Sequence, residues 1–276
     1  MSLFINTNTD SIRARNAMNV HTRNIATKME RLSSGERING AKDDAAGLSI
    51  STRMEAQHRG YDQAIRNTTD GMSLLQTAEG ALDEVSSILH RMRELSVQAS
   101  NEGTMDTTER GYLDQEFQLL ESELDRIVSV TEFNGTNLID GSLSTGTNFQ
   151  VGYKNTANDR ISLSIANTGS TSLGLNDELL TSATGAQKAI SALDTALSTI
   201  NTQRATLGAT QNRLEMTINN LSASYENHSA SLSRIRDVDV AEETARFTSH
   251  QILTQAGTSV LAQANALPQA ALMLLG

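Results

Sequence analysis

Residues 193–235, LDTALSTINTQRATLGATQNRLEMTINNLSASYENHSASLSRI, decide the fold. Stepping alternately four and three residues from Leu193 meets Leu197, Ile200, Arg204, Leu207, Gln211, Leu214, Ile218, Leu221, Tyr225, His228, Leu232 and Ile235. Ten of these thirteen positions are apolar or aromatic. A repeat of 3.5 residues held this long specifies a helix with one narrow adhesive seam. At about 1.5 Å per residue it runs to roughly 65 Å, so the seam requires partners of comparable length. Two lie upstream: Leu75, Ala78, Leu82, Val85, Leu89 and Met92 keep the spacing, as do Leu113, Phe117, Leu120, Leu124 and Ile127. Between them Asn101-Glu-Gly103 reads as a helix stop, and Asp106-Thr-Thr108 supplies caps for the next helix. Narrow stripes satisfy one another only side by side, which predicts a mainly α, rod-shaped antiparallel bundle.

The middle of the chain changes character. From Phe133-Asn-Gly135 onward it is rich in Asn, Gly, Ser and Thr. The alternations Phe149-Gln-Val151-Gly-Tyr153 and Ile161-Ser-Leu163-Ser-Ile165 fit half-buried strands turning at 154–160. One or two hairpins are expected there, followed by a Ser/Thr-heavy link, 166–182, into the returning helix.

Composition removes several function classes. The 276 residues contain no Cys, no Trp and one Pro, Pro268, with nine Phe and Tyr together. Without Cys there is no disulfide scaffold, thiolate metal site or thiol nucleophile. A net charge of −10 argues against nucleic acid as the main partner, because phosphate contacts need a basic footprint. No run of eighteen apolar residues suits a membrane span, and no apolar signal core follows Met1.

No constellation of residues suggests a catalyst or a cofactor site. The five His, at 21, 58, 90, 228 and 250, include no pair three or four apart on one helix, so no metal site is expected. His228 and Gln211 sit on the seam, where polar residues fix register, and Arg204 is placed to reach an acid on the neighbouring helix. Asp43-Asp44 follows the turn at Gly40; adjacent carboxylates diverge on a helix, and capping or a salt bridge suits them better than acid–base work.

The two ends are weaker helices. Ala14, Met18, His21, Ile25, Met29 and Leu32 form one stripe, and Leu253, Ala256, Val260, Ala264, Leu267, Ala271 and Leu274 another. Stripes so thin in large side chains repay little of the entropy of ordering a helix, so each arm is expected to gain shape only against partners. The candidate assembly seam is Met18, Ile25, Leu32, Leu253, Val260, Leu267 and Leu274.

Four blocks carry a family resemblance: RLSSGERIN at 31–39, AKDDAAG at 41–47, RMRELSVQ at 91–98 and QILTQAGTSVLAQAN at 251–265. In this order they resemble bacterial flagellin, over roughly residues 1–140 and 185–276. The resemblance implies a structural subunit that polymerises into the flagellar filament, not an enzyme, without cofactors, and working outside the cell. It places 1–43 with 237–276 in an inner terminal-helix domain. Residues 44–236 become an outer helical bundle with a β-hairpin at about 134–166. The short middle leaves no room for a large outer variable domain, so a thin, smooth filament is expected.

Partners follow from the same resemblance: copies of the chain itself, an export chaperone on the C-terminal arm, and the filament cap and hook-junction proteins. In flagellins recognised by the vertebrate Toll-like receptor 5, the segment matching Arg91 to Gln98, with the acid matching Glu116, forms the docking and axial-packing surface. That assigns Arg91, Glu94, Leu95, Gln98 and Glu116, while His90 stands where many recognised members have Gln. Export unfolded through the flagellar type III apparatus suits a chain with no disulfide and a single proline. The alternatives are a hook–filament junction protein and, in a different class, a cytoplasmic coiled-coil adaptor.

Overall fold

The computed structural model describes residues 7–176 and 178–273, with side chains up to residue 266. Its helices are α1 (Thr9–Ser34), α2 (Ala45–Ala99), α3 (Thr107–Val130), the short α4 (Ser170–Leu173), α5 (Ala183–Arg236) and α6 (Val240–Met273). Two antiparallel strand pairs lie between α3 and α4: β1 (Glu132–Phe133) with β2 (Thr136–Asn137), and β3 (Thr147–Gln150) with β4 (Arg160–Leu163). The chain forms two compact units, Arg59–Glu226, and Met1–His58 with Asn227–Gly276. The expected boundaries lie just before α2 (43/44) and at the end of α5 (236/237), whereas the division falls inside α2 and α5. Arg236 explains the shift: its guanidinium pairs with Glu36 (2.8 Å) and with Glu55 in α2 (2.7 Å), drawing both helix ends into the unit that holds α1 and α6.

In the unit Arg59–Glu226 the heptad seams meet. Leu75, Ala78, Leu82, Val85, Leu89 and Met92 of α2 are fully buried, as are Phe117 and Leu124 of α3 and Leu193, Ile200, Leu207 and Leu214 of α5. The polar seam positions fix the register. Arg204 reaches Asp83 at 3.0 Å, and the Gln211 amide donates to Glu79 at 2.8 Å. With Arg93 paired to Asp194 at 2.7 Å, these contacts set α5 antiparallel to α2. Asp106 and Glu109 close a capping box on α3, and Arg110 turns back to donate to the carbonyls of Ala99 and Asn101 where α2 ends.

The β elements keep the phase of the sequence reading, with Val151, Ile161, Leu163 and Ile165 buried, and differ from it in their limits. Asn134 (φ 52°) and Gly135 (φ 75°) form the tight turn of β1–β2, the left-handed pair that an Asn-Gly hairpin provides. In the second hairpin Phe149 faces Ile161, but β3 spans 147–150, not 149–153. Past Gln150 the Val151 amide still donates to the Asp159 carbonyl (2.8 Å), and at Gly152 the Asp159 side chain occupies the space a Cβ would need. The link 166–182 also holds more structure than its composition suggests. Leu173, Leu175 and Leu180 enter the core. Asp125 accepts from the Ser170 amide (2.8 Å) and hydroxyl (2.7 Å), while Asp114 accepts from the Leu180 amide (2.7 Å). Burial against this segment raises the pKa of Glu121 above the usual carboxylate value.

In the other unit α1 and α6 run antiparallel. The Asn8 amide donates to the Ala264 carbonyl at 2.8 Å, Met18 lies against Gly257, His21 against His250, and Lys28 against Glu243. The connectors are zipped together: the Arg37 amide donates to the Arg236 carbonyl and the Val238 amide to the Gly35 carbonyl. Gly35 (φ 73°) ends α1 in the left-handed conformation that favours glycine. Asp44 accepts the Gly47 amide at 2.9 Å at the start of α2, and Asp43 pairs with Arg31 at 3.7 Å, so both adjacent carboxylates are structural.

Candidate assembly surfaces

The surface around Arg91 is built on α2 and α3. Arg91 donates to Glu116 through Nε (3.0 Å) and Nη2 (2.8 Å), and to Glu94 through Nη1 (3.0 Å). Hydrogen bonding to Glu116, then to Glu94, raises the guanidinium pKa further above its ordinary value. Gln98 is exposed one turn on, as is Val97. Arg91, Glu94, Gln98 and Glu116 therefore share one face.

Leu95 does not belong to that face. It is 1% exposed and lies in the core, because the seam of α2 broadens at its C-terminal end, where Met92, Leu95, Ser96 and Ala99 all turn inward. Leu95→Ala is accordingly expected to destabilise the bundle by about 2–5 kcal/mol, the cost of a core cavity. A thermal melt of the variant checks this, and an unchanged melting temperature contradicts the assignment.

The arm pair shows a second departure. On α1 the side facing α6 carries Met18, His21, Ile25, Lys28 and Leu32, all half-buried, while Met29 points outward. On α6 the facing side carries Glu243, Phe247, His250, Thr254, Gly257, Leu261 and Ala264. Leu253 and Val260, expected on the seam, are 43% and 54% exposed on another side of the helix, as is Ile252. Small and polar residues at the contact let the two backbones approach, and Glu243 selects Lys28 over Met29. Leu267 lies within α6, its side chain outside the described residues; Leu274 lies outside them altogether. α1 buries none of its residues, and Glu243 and Ala264 are the buried ones among the described side chains of α6.

His21 and His250 come from different helices, 229 residues apart, so spacing along one helix gave no sign of their meeting. Glu243 was missed for a similar reason. It is 6% exposed yet sits in an acidic first helical turn that reads as solvated in sequence. Among the described residues no group of three or more His, Asp or Glu is placed to hold a metal. An open groove of about 530 Å³ between the second hairpin and α5 holds Tyr61 packed edge-on against Tyr153. Burial, then the neighbouring Tyr153, raises the Tyr61 pKa, which leaves the phenol protonated and offers no base.

A bundle unit with its own core, and a helix pair that leaves Ile12, Val20, Met29, Ile252, Leu253 and Val260 exposed, point to a structural protein that works by association. Family models match both ends of the chain: the bacterial flagellin N-terminal helical region over residues 5–144 and the C-terminal helical region over 190–275. The flagellin of Halalkalibacterium halodurans is 48% identical over 273 residues, covering 99% of this chain and all of that one. The flagellin of Bacillus subtilis is 42% identical, covering 98% and 99%. The crystal structure of Bacillus cereus flagellin superposes with a TM-score of 0.51 at 36% identity, over 60% of this chain and 94% of that one. The chain belongs to the bacterial flagellin family. It is thus a self-polymerising structural component of the flagellar filament and of swimming motility, not an enzyme.

Proposed function

We propose that the chain leaves the cell unfolded through the flagellar type III apparatus and gains its final shape in the growing filament. The observation that carries this reading is the pairing of α1 and α6, which fully buries no residue of α1 and leaves Ile12, Val20, Ile252, Leu253 and Val260 exposed. Packing between copies supplies the missing burial, at roughly 25 cal/mol per Å² of apolar surface removed from water. The arms form the inner layer of the tube and the bundle the next, with the export chaperone covering the α6 face beforehand. The cap and hook-junction proteins meet the two ends of the polymer. Only residues 145–189 separate the two family regions, which supports a thin, smooth filament exposed outside the cell. Electron microscopy of the purified chain under polymerising conditions tests this: hollow tubes are expected, and compact particles alone contradict it.

Free monomers present the Arg91 face to Toll-like receptor 5. Its support is geometric: a guanidinium held flat by two carboxylates beside an exposed amide suits a polar docking surface. Since Leu95 is core, Arg91→Ala with Gln98→Ala is the informative double variant. It is expected to lower receptor signalling about tenfold or more at unchanged melting temperature. An unaltered response removes the receptor from this face.

A further inference from the structure

We propose that His21 and His250 form a two-imidazole site for a divalent transition-metal ion of the zinc and copper class, bridging α1 to α6. The Nδ1 atoms of the two rings stand 3.2 Å apart, with ring centroids at 5.4 Å and planes inclined by 39°. Two metal–nitrogen bonds of about 2.0–2.1 Å, opened by roughly 100–110°, place their nitrogens about 3.1–3.4 Å apart. Imidazole is a preferred ligand for zinc, copper and nickel. Small rotations of the rings bring both lone pairs onto one point between the helices, and water completes the coordination.

The site is set by the helices rather than by the histidines alone. Both rings are half-buried in the α1–α6 contact. On one side Met18 meets Gly257, and on the other Lys28 pairs with Glu243 at 3.1 Å. Where the two helices pair, these contacts hold the Nδ1 edges of the rings towards each other before a metal arrives, which lowers the cost of gathering the ligands. At 3.2 Å the two Nδ1 atoms are within hydrogen-bond distance of one another. On binding, each ring presents its Nδ1 lone pair to the ion and carries its hydrogen on Nε2. The ion then clips together two ends of the chain otherwise joined through 229 residues, where closing the loop costs most entropy.

The test uses copper bound to the full chain in a preparation whose α1 amides are protected from exchange. With equimolar Cu²⁺, electron paramagnetic resonance is expected to show coupling to two ring nitrogens, retained in the control His90→Gln. His21→Gln and His250→Gln should each leave one nitrogen and weaken binding about tenfold or more. If either variant loses α1 protection, the unaltered chain decides: zinc must shift the ring resonances of His21 and His250 and spare those of His90. A copper spectrum indifferent to His21→Gln, no bound ion at equimolar copper, or ring resonances unmoved by zinc overturns the site.

Discussion

A chain ending at residue 249 is expected to form no filaments at any concentration, while its Arg59–Glu226 unit keeps its helicity and its cooperative melt. The truncation removes most of α6, and with it Ile252, Leu253 and Val260, whose side chains find no cover inside the molecule. It also takes away the partners of Asn8, Met18 and His21, so the N-terminal half of α1 loses its packing against α6 and only the contacts of Glu243 and Phe247 near its C-terminal end remain. A helix left alone with a thin stripe is marginal in water. The bundle is spared because its own seams close: Leu75, Leu82 and Leu89 meet Leu193, Ile200 and Leu207 in one continuous core. A finer version of the experiment keeps α6 and changes only its outer side. Leu253→Lys with Val260→Lys leaves the contact with α1 intact and should abolish polymerisation just as fully. Electron microscopy and sedimentation check both chains; long tubes from either contradict the role given to α6.

Removing the Glu243 carboxylate is expected to be the most damaging single change in the arm unit. Its side chain is 8% exposed and lies 3.1 Å from Lys28 and 3.7 Å from Arg31, themselves 13% and 22% exposed. Arg31 in turn pairs with Asp43, so one carboxylate ties α6 to α1 and to the segment that follows it. Glu243→Ala leaves two cations withdrawn from water with half their counter-charge gone, a loss of about 3–5 kcal/mol. Every 1.4 kcal/mol is a factor of ten, so the critical concentration for assembly should rise about a hundredfold or more. Glu243→Gln keeps the shape without the charge and should fall between the two. Light scattering against protein concentration measures this, and an unchanged critical concentration would show that the cluster contributes nothing to assembly.

The bundle was legible in the sequence because each of its seams is apolar on one side and polar on the others, and burial follows such a contrast. Arg204 and Gln211 could be placed for the same reason, since a polar residue on an apolar seam must find a partner across it. The arms were harder to read. In α6 Leu253 and Val260 lie on the stripe that the spacing marks out, yet the fold packs Phe247, His250, Thr254, Gly257 and Leu261 against α1 and keeps Leu253 and Val260 outside. Sequence periodicity identifies a face that wants cover without saying whether the cover comes from the same chain. Leu95 was misread because three- and four-residue steps from Met92 both lead into the core at that point. Leu173, Leu175 and Leu180 were hidden among Ser and Thr, and the aspartates of α3 that anchor their segment lie far from it in sequence. The meeting of His21 with His250 depends on the register of two helices, which neither helix encodes by itself.

Amide hydrogen exchange on the chain as dilute monomer and as assembled filament tests the account most directly. The monomer should exchange freely along α1 and α6 while Leu75–Met92 and Leu193–Leu214 remain protected, and in the filament all four stretches should be protected. Slow exchange along α1 and α6 in the dilute monomer would contradict it.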